Sequence, residues 1–306
     1  MPSRLVRAVL VVSLLSSAAP APAWAPAPLP KPDEADRLFR QGMDAFEGRS
    51  DQVDEAKARK LFARASARGH PVAACSYAWM VYHGAGGPID VDAGLKAIEK
   101  SVPALREKAK AGNVYAQEMY AALLAYGIGV ERNDQEAVTW IKKAANNGRA
   151  GAMAFLGMMY GQGRGVEQDN KASFEWTRKG VEAGDATAMV WLGYAYANGT
   201  GVEKDPKKAA EWYRKGADKG CTHAMVTLGS AYAEGLGVEK DEKQAVKWYK
   251  KAADRGYLRA MHALGTIYET GQGAPADRAE ALKWYKKAAE LGDRDAKEKV
   301  KELGGE

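Results

Sequence analysis

Cysteine is scarce in this chain, with only Cys75 and Cys221 among 306 residues. That excludes a disulfide-dense scaffold, and it excludes a zinc module held by four thiolates or by a close thiolate pair and two imidazoles. Histidine is little richer, at four residues. His223 and His262 occupy nearby columns of a repeat described below, but two imidazoles lack the third and fourth ligands that zinc demands, so no metal site is expected. No serine is followed three residues later by lysine, and neither G-x-S-x-G nor H-E-x-x-H occurs, which removes the usual frames for an activated serine or a catalytic zinc. Charge of one sign is also missing. Forty-five Lys and Arg stand against 39 Asp and Glu, too mixed for a nucleic-acid footprint. The longest apolar or small run, Ala8 to Ala19, falls short of the roughly 20 residues that a spanning helix needs.

That run follows Arg4 and Arg7 and leads to an A-x-A site at Ala21 and Ala23, the layout of a secretory signal cut after Ala23. The expected divisions are residues 1–23 as signal peptide, 24–34 as a linker carrying Pro26, Pro28, Pro30 and Pro32, 35–292 as a repeat domain, and 293–306 as a capping helix. A periplasmic or secreted location follows, with no stable membrane insertion once the signal is removed.

What the sequence has in abundance is self-similarity. Trp140, Trp176, Trp212, Trp248 and Trp284 recur every 36 residues, and Gly127, Gly163, Gly199, Gly235 and Gly271 keep the same period. A fixed period of this length signals a stacked repeat array. In the unit Cys221 to Gly256, a first helix (helix A) places Ala224, Met225, Leu228, Gly229 and Tyr232 on one face. Gly235-Leu236-Gly237 ends it, Asp241 caps a second helix (helix B), and that helix buries Ala245, Trp248, Tyr249 and Ala252. Glu136 and Glu280, three residues after their caps, suit a capping box. Two such short helices cannot bury their faces alone, so consecutive units must stack, each touching only its neighbours. The fold class is all-α: a superhelical solenoid of about seven helix-turn-helix repeats of 36 residues, closed by a C-terminal capping helix. The second repeat is seven residues longer, and Pro103 predicts a kink or break in its second helix. The repeated Trp column is read as structural core.

The pattern A-M-x-x-L-G-x-x-Y-x-x-G-x-G-V-x-x-D-x-x-x-A-x-x-W-Y-x-K-A-A-x-x-G, running from Ala224 to Gly256, resembles the Sel-one-like repeat, a relative of the tetratricopeptide repeat. Leu61 in the Trp slot and the long second repeat depart from it. The resemblance implies a right-handed α-solenoid acting as a non-enzymatic adaptor, with exported bacterial relatives associated with envelope regulation, secretion or host interaction. A cysteine-rich branch is associated with β-lactam binding or slow hydrolysis. This chain lacks that branch's paired cysteines. The alternative reading, a peptidoglycan- or β-lactam-binding protein or a weak envelope hydrolase, rests on that branch alone.

The face of helix A opposite the fixed columns lines the concave surface in this architecture. There the sequence places Trp79, Tyr115, Met119, Tyr126, Phe155, Met158, Trp191 and Tyr194, large apolar side chains where water is expected. Such a patch marks a binding groove. Protein or peptide is the expected partner, with envelope polysaccharide or peptidoglycan as the second choice. No cofactor and no catalytic residue are expected.

Overall fold

The computed structural model describes residues 33–48 and 53–304, which contain fifteen α-helices and no strand. The signal and nearly all of the linker lie outside the described residues. Seven helical hairpins follow one another: α1 (Glu34–Glu47) with α2 (Glu55–Ala67), α3 (Pro71–His83) with α4 (Val91–Lys110), α5 (Val114–Tyr126) with α6 (Asp134–Asn146), and α7 (Ala150–Gln162) with α8 (Asn170–Glu182). Then come α9 (Ala186–Asn198) with α10 (Pro206–Asp218), α11 (Thr222–Glu234) with α12 (Glu242–Asp254), α13 (Leu258–Thr270) with α14 (Arg278–Glu290), and the closing α15 (Arg294–Glu302). The odd-numbered helices also touch one another (α3 with α5, α7 with α9, α9 with α11) and so form the inner layer of the solenoid. Accordingly α7 carries no charged residue on any face and α9 none either, whereas the outer, even-numbered helices are amphipathic.

Local chemistry fixes each hairpin. The side chains of Asn133, Asp205 and Asp241 accept from the backbone N–H three residues on, at 3.0, 3.0 and 2.9 Å, satisfying donors that a helix start leaves unpaired. The capping box closes only on that side. The Glu136 carboxylate takes the indole N–H of Trp140 at 3.1 Å and Glu280 takes Lys283 at 2.7 Å, because those partners are charged or aromatic neighbours on the helix surface. The second glycine of each G-x-G has a steric purpose. A Cβ on Gly237 would overlap the Pro206 carbonyl, and one on Gly165 that of Asp134, so the loop rests directly on the first turn of the preceding outer helix.

In the second repeat the seven extra residues lie within α4, which has 20 residues against 13 in α6, α8, α10, α12 and α14. The helix runs unbroken through Pro103, and the expected break is absent. The adjacent Ser101 hydroxyl hydrogen-bonds back to the Ala97 carbonyl at 2.7 Å. Buried Ile98 and Leu105 anchor the helix on either side of the proline.

Contacts are not confined to neighbours. The Val53 N–H donates to the Lys219 carbonyl at 3.2 Å, the Ile89 N–H donates to the Leu291 carbonyl at 2.9 Å, and Arg255 Nη1 donates to the Val53 carbonyl at 2.9 Å. The superhelix therefore completes a turn within seven repeats and seats its first two hairpins on its last ones. Trp140, Trp248 and Trp284 are buried, while Trp176 and Trp212 are half-buried. Each carries a lysine ammonium over its ring, 3.8 Å from the centroid for Lys215 on Trp212 and 4.0 Å for Lys251 on Trp248. The basic residues of the outer helices are thus partly packing elements, their stems lying along apolar surface.

Candidate binding cavity

The turn of the superhelix encloses a cavity of about 340 Å³ on its inner side. The wall is largely aromatic and sulfur-bearing. Trp79 from α3 and Phe155 from α7 flank Tyr126 at the end of α5, with ring centroids 6.3 and 5.9 Å away, and the Phe155 and Tyr126 rings are stacked. Met119, Met158 and Trp191 continue the lining, and Phe46 closes it from α1. Phe46 and Tyr126 are 37% and 48% exposed. They are two of only four large apolar side chains so exposed among the described residues.

Of the eight groove residues expected from the sequence, seven line this cavity and one does not. Tyr194 turns into the stack: its hydroxyl lies 3.3 Å from the Thr227 hydroxyl, and its ring packs edge-on against Tyr213 at 5.5 Å. Its column faces the next repeat at that point of the superhelix, so it serves inter-repeat packing while touching Trp191 at 5.8 Å.

The floor of the cavity is charged, and the sequence reading missed it. Arg149 is only 6% exposed. Its Nη2 pairs with Glu47 at 2.5 Å, its Nε donates to Glu118 Oε2 at 2.5 Å, and its guanidinium lies 4.7 Å from the Tyr115 ring centroid. This ties α1 to the start of α7, three repeats away. Burial opposes the charge on Arg149, but Glu118 and Glu47 more than offset it and hold the guanidinium protonated. Asp185 joins the floor as the N-cap of α9, accepting from the Ala188 N–H at 2.6 Å. Burial raises the carboxyl pKa of both Glu118 and Asp185. A signal for Arg149 existed in the sequence. The slot before an inner helix holds a capping side chain at Asp33, His70, Asn113, Asp185 and Asp293 and none at Arg149, Cys221 or Tyr257, and of these three only Arg149 puts a full charge on an inner-helix start.

The remaining candidates do not converge. Cys75 and Cys221 are free and buried, with burial pushing their thiols up to about 12 and about 11, which suits packing and not nucleophilic attack. His223 packs near Tyr194, whereas His262 lies 3.4 Å from the Asp293 carboxylate. Among the described residues no three His, Cys, Asp or Glu side chains are placed to hold a metal, and no helix is long and apolar enough to cross a membrane.

The family model of the Sel1 repeat matches residues 45–70, 114–148, 150–185, 186–221, 222–257 and 258–293, passing over the long second hairpin. Among solved structures, a Sel1 repeat protein from Oxalobacter formigenes is 31% identical with a TM-score of 0.55, covering 88% of this chain and 76% of its own. A protective antigen of uropathogenic Escherichia coli with an SLR fold is 27% identical over 88% of this chain and 64% of its own, with a TM-score of 0.43. An immunity protein from Pseudomonas aeruginosa is 17% identical over 87% and 84%, with a TM-score of 0.49. No curated protein matches the sequence.

Proposed function

This chain belongs to the Sel1 repeat family, whose fold is typical of protein-interaction scaffolds, and we propose that it is an exported, non-enzymatic adaptor that holds a peptide segment of a partner protein in its inner cavity. The carrying observation is the aromatic cavity with Phe46 and Tyr126 exposed at it. Monomers seldom leave such surface uncovered, and aromatic side chains dominate the energetics of protein interfaces. The mostly apolar lining favours a polypeptide over a glycan, whose hydroxyls need more polar partners. No chemistry is assigned to the cavity, and labelled penicillin is expected to leave the protein unacylated.

Capture from a native envelope extract tests the binding role. The pair Tyr126→Ser and Trp191→Ser is expected to lose the partner that the unaltered protein retains, each aromatic contributing about 2 kcal/mol, while the circular-dichroism melt stays close to that of the parent. Tyr194→Phe, which keeps the packing ring, should bind normally. A stable double variant that retains every captured protein would refute the groove reading.

Export is supported by Arg4, Arg7, the short apolar run and the A-x-A site. Intact mass of the protein recovered from its host should show a chain beginning at Trp24, and a chain beginning at Met1 would overturn the assignment.

A further inference from the structure

The cavity floor has a charge pattern that specifies its occupant. Gly151, on the first turn of α7, lies between two carboxylates: a Cβ there would overlap Glu118 Oε1 and lie 3.6 Å from Asp185 Oδ2. Both oxygens thus converge on one spot, close enough for like charges to raise each other's proton affinity. Arg149 relieves this only in part. It engages Glu118 through Oε2 and shares its charge with Glu47, and Asp185 makes no ion pair among the described residues. No lysine and no second arginine line the cavity. Three half-buried carboxylates at an aromatic chamber, Glu47, Glu118 and Asp185, therefore share one guanidinium, and a second cation in that position would be both paired and set beside aromatic rings. A divalent metal would need more ligands than converge there.

We infer that the cavity receives one basic side chain of the partner polypeptide, its ammonium or guanidinium group seated at Gly151 between Glu118 and Asp185 and its aliphatic stem along Tyr126, Phe155 and Trp191. The inference rests on the groove reading above and adds the charge of the bound segment. An acidic segment is disfavoured, because the one guanidinium is already engaged by two carboxylates.

A library of random octapeptides on beads, panned against the full chain, tests it. Enriched sequences should carry Lys or Arg flanked by apolar residues. Titration of a selected peptide should show a loss of about tenfold or more when its basic residue is replaced by norleucine. Three variants should reproduce that loss without unfolding the protein. Glu118→Gln still accepts from Arg149, Asp185→Asn still caps α9, and Gly151→Ala fills the spot in a residue whose helical backbone tolerates alanine. Peptides enriched without a basic residue, or bound equally by the norleucine form, overturn the inference and leave the groove reading standing. Failure to enrich any peptide also overturns it, and envelope capture then decides the groove reading by itself. If Tyr126→Ser with Trp191→Ser binds the selected peptide unchanged, both readings fail.

Discussion

Replacing Arg149 by alanine is expected to destabilise the protein by about 3–5 kcal/mol, because removal of one member of a buried charge cluster leaves the others uncompensated. Glu47 and Glu118, whose side chains are 10% and 21% exposed, lose their shared partner at once, and the tie between the first and fourth hairpins goes with it. The deficit should depend on pH in a defined direction. Burial already raises the Glu118 and Asp185 carboxyls in the native protein. A carboxyl with a raised native pKa binds more protons folded than unfolded, so it favours folding in acid and does so less as pH rises through that native value. Without the guanidinium the native pKa of Glu118 rises further. The difference between Arg149→Ala and the parent should therefore be largest near neutral pH and shrink toward about pH 5. Denaturant melts at several pH values read it directly, and a deficit that grows in acid would contradict this account. Arg149→Lys should rescue only in part, since an ammonium cannot reproduce the fixed fork that bonds two different carboxylates at 2.5 Å.

Trp248→Ala is expected to cost about 3–5 kcal/mol through lost burial and the cavity left behind. Trp248 is buried in the apolar core of the later repeats, against which the half-buried Leu282 and Ala289 of the next outer helix also pack, so little around it can collapse into the gap. The same change at Trp212 should cost less, about 1–2 kcal/mol, because that ring is half-exposed and loses mainly the Lys215 contact. The two positions are one repeat apart and identical in sequence pattern, so equal midpoints in paired denaturant melts would show that exposure does not grade the column.

The difference between those tryptophans illustrates where sequence periodicity stops. Five repeats show the same Trp and Lys spacing, but burial depends on what the neighbouring turns place outside the ring, which is not encoded at period 36. Tyr194 is a second case. It shares a column with Met158, which faces the cavity, and its hydroxyl instead finds Thr227 in the following repeat. Leu61, standing in the Trp slot of the first repeat, is buried all the same. The slot selects for apolar volume, and the ring is not required.

The sequence by itself determined the repeat, its two helices and their limits, because capping side chains, left-handed glycines and apolar stripes act within a few residues of one another and need no distant partner. Asp241 at the start of α12 and Gly235 at the end of α11 act where local chemistry places them. It also determined that large apolar side chains gather on the inner columns. Only the tertiary structure decided how far the stack curls. That curvature is the sum of small rotations between hairpins, and it brings Val53 to Lys219 and Ile89 to Leu291 across more than 150 residues. The same curvature carries Glu47 to Arg149 and sets Glu118 beside Asp185 over Gly151. In the sequence these residues are separated by whole repeats, and their charges meet only because the solenoid closes around them.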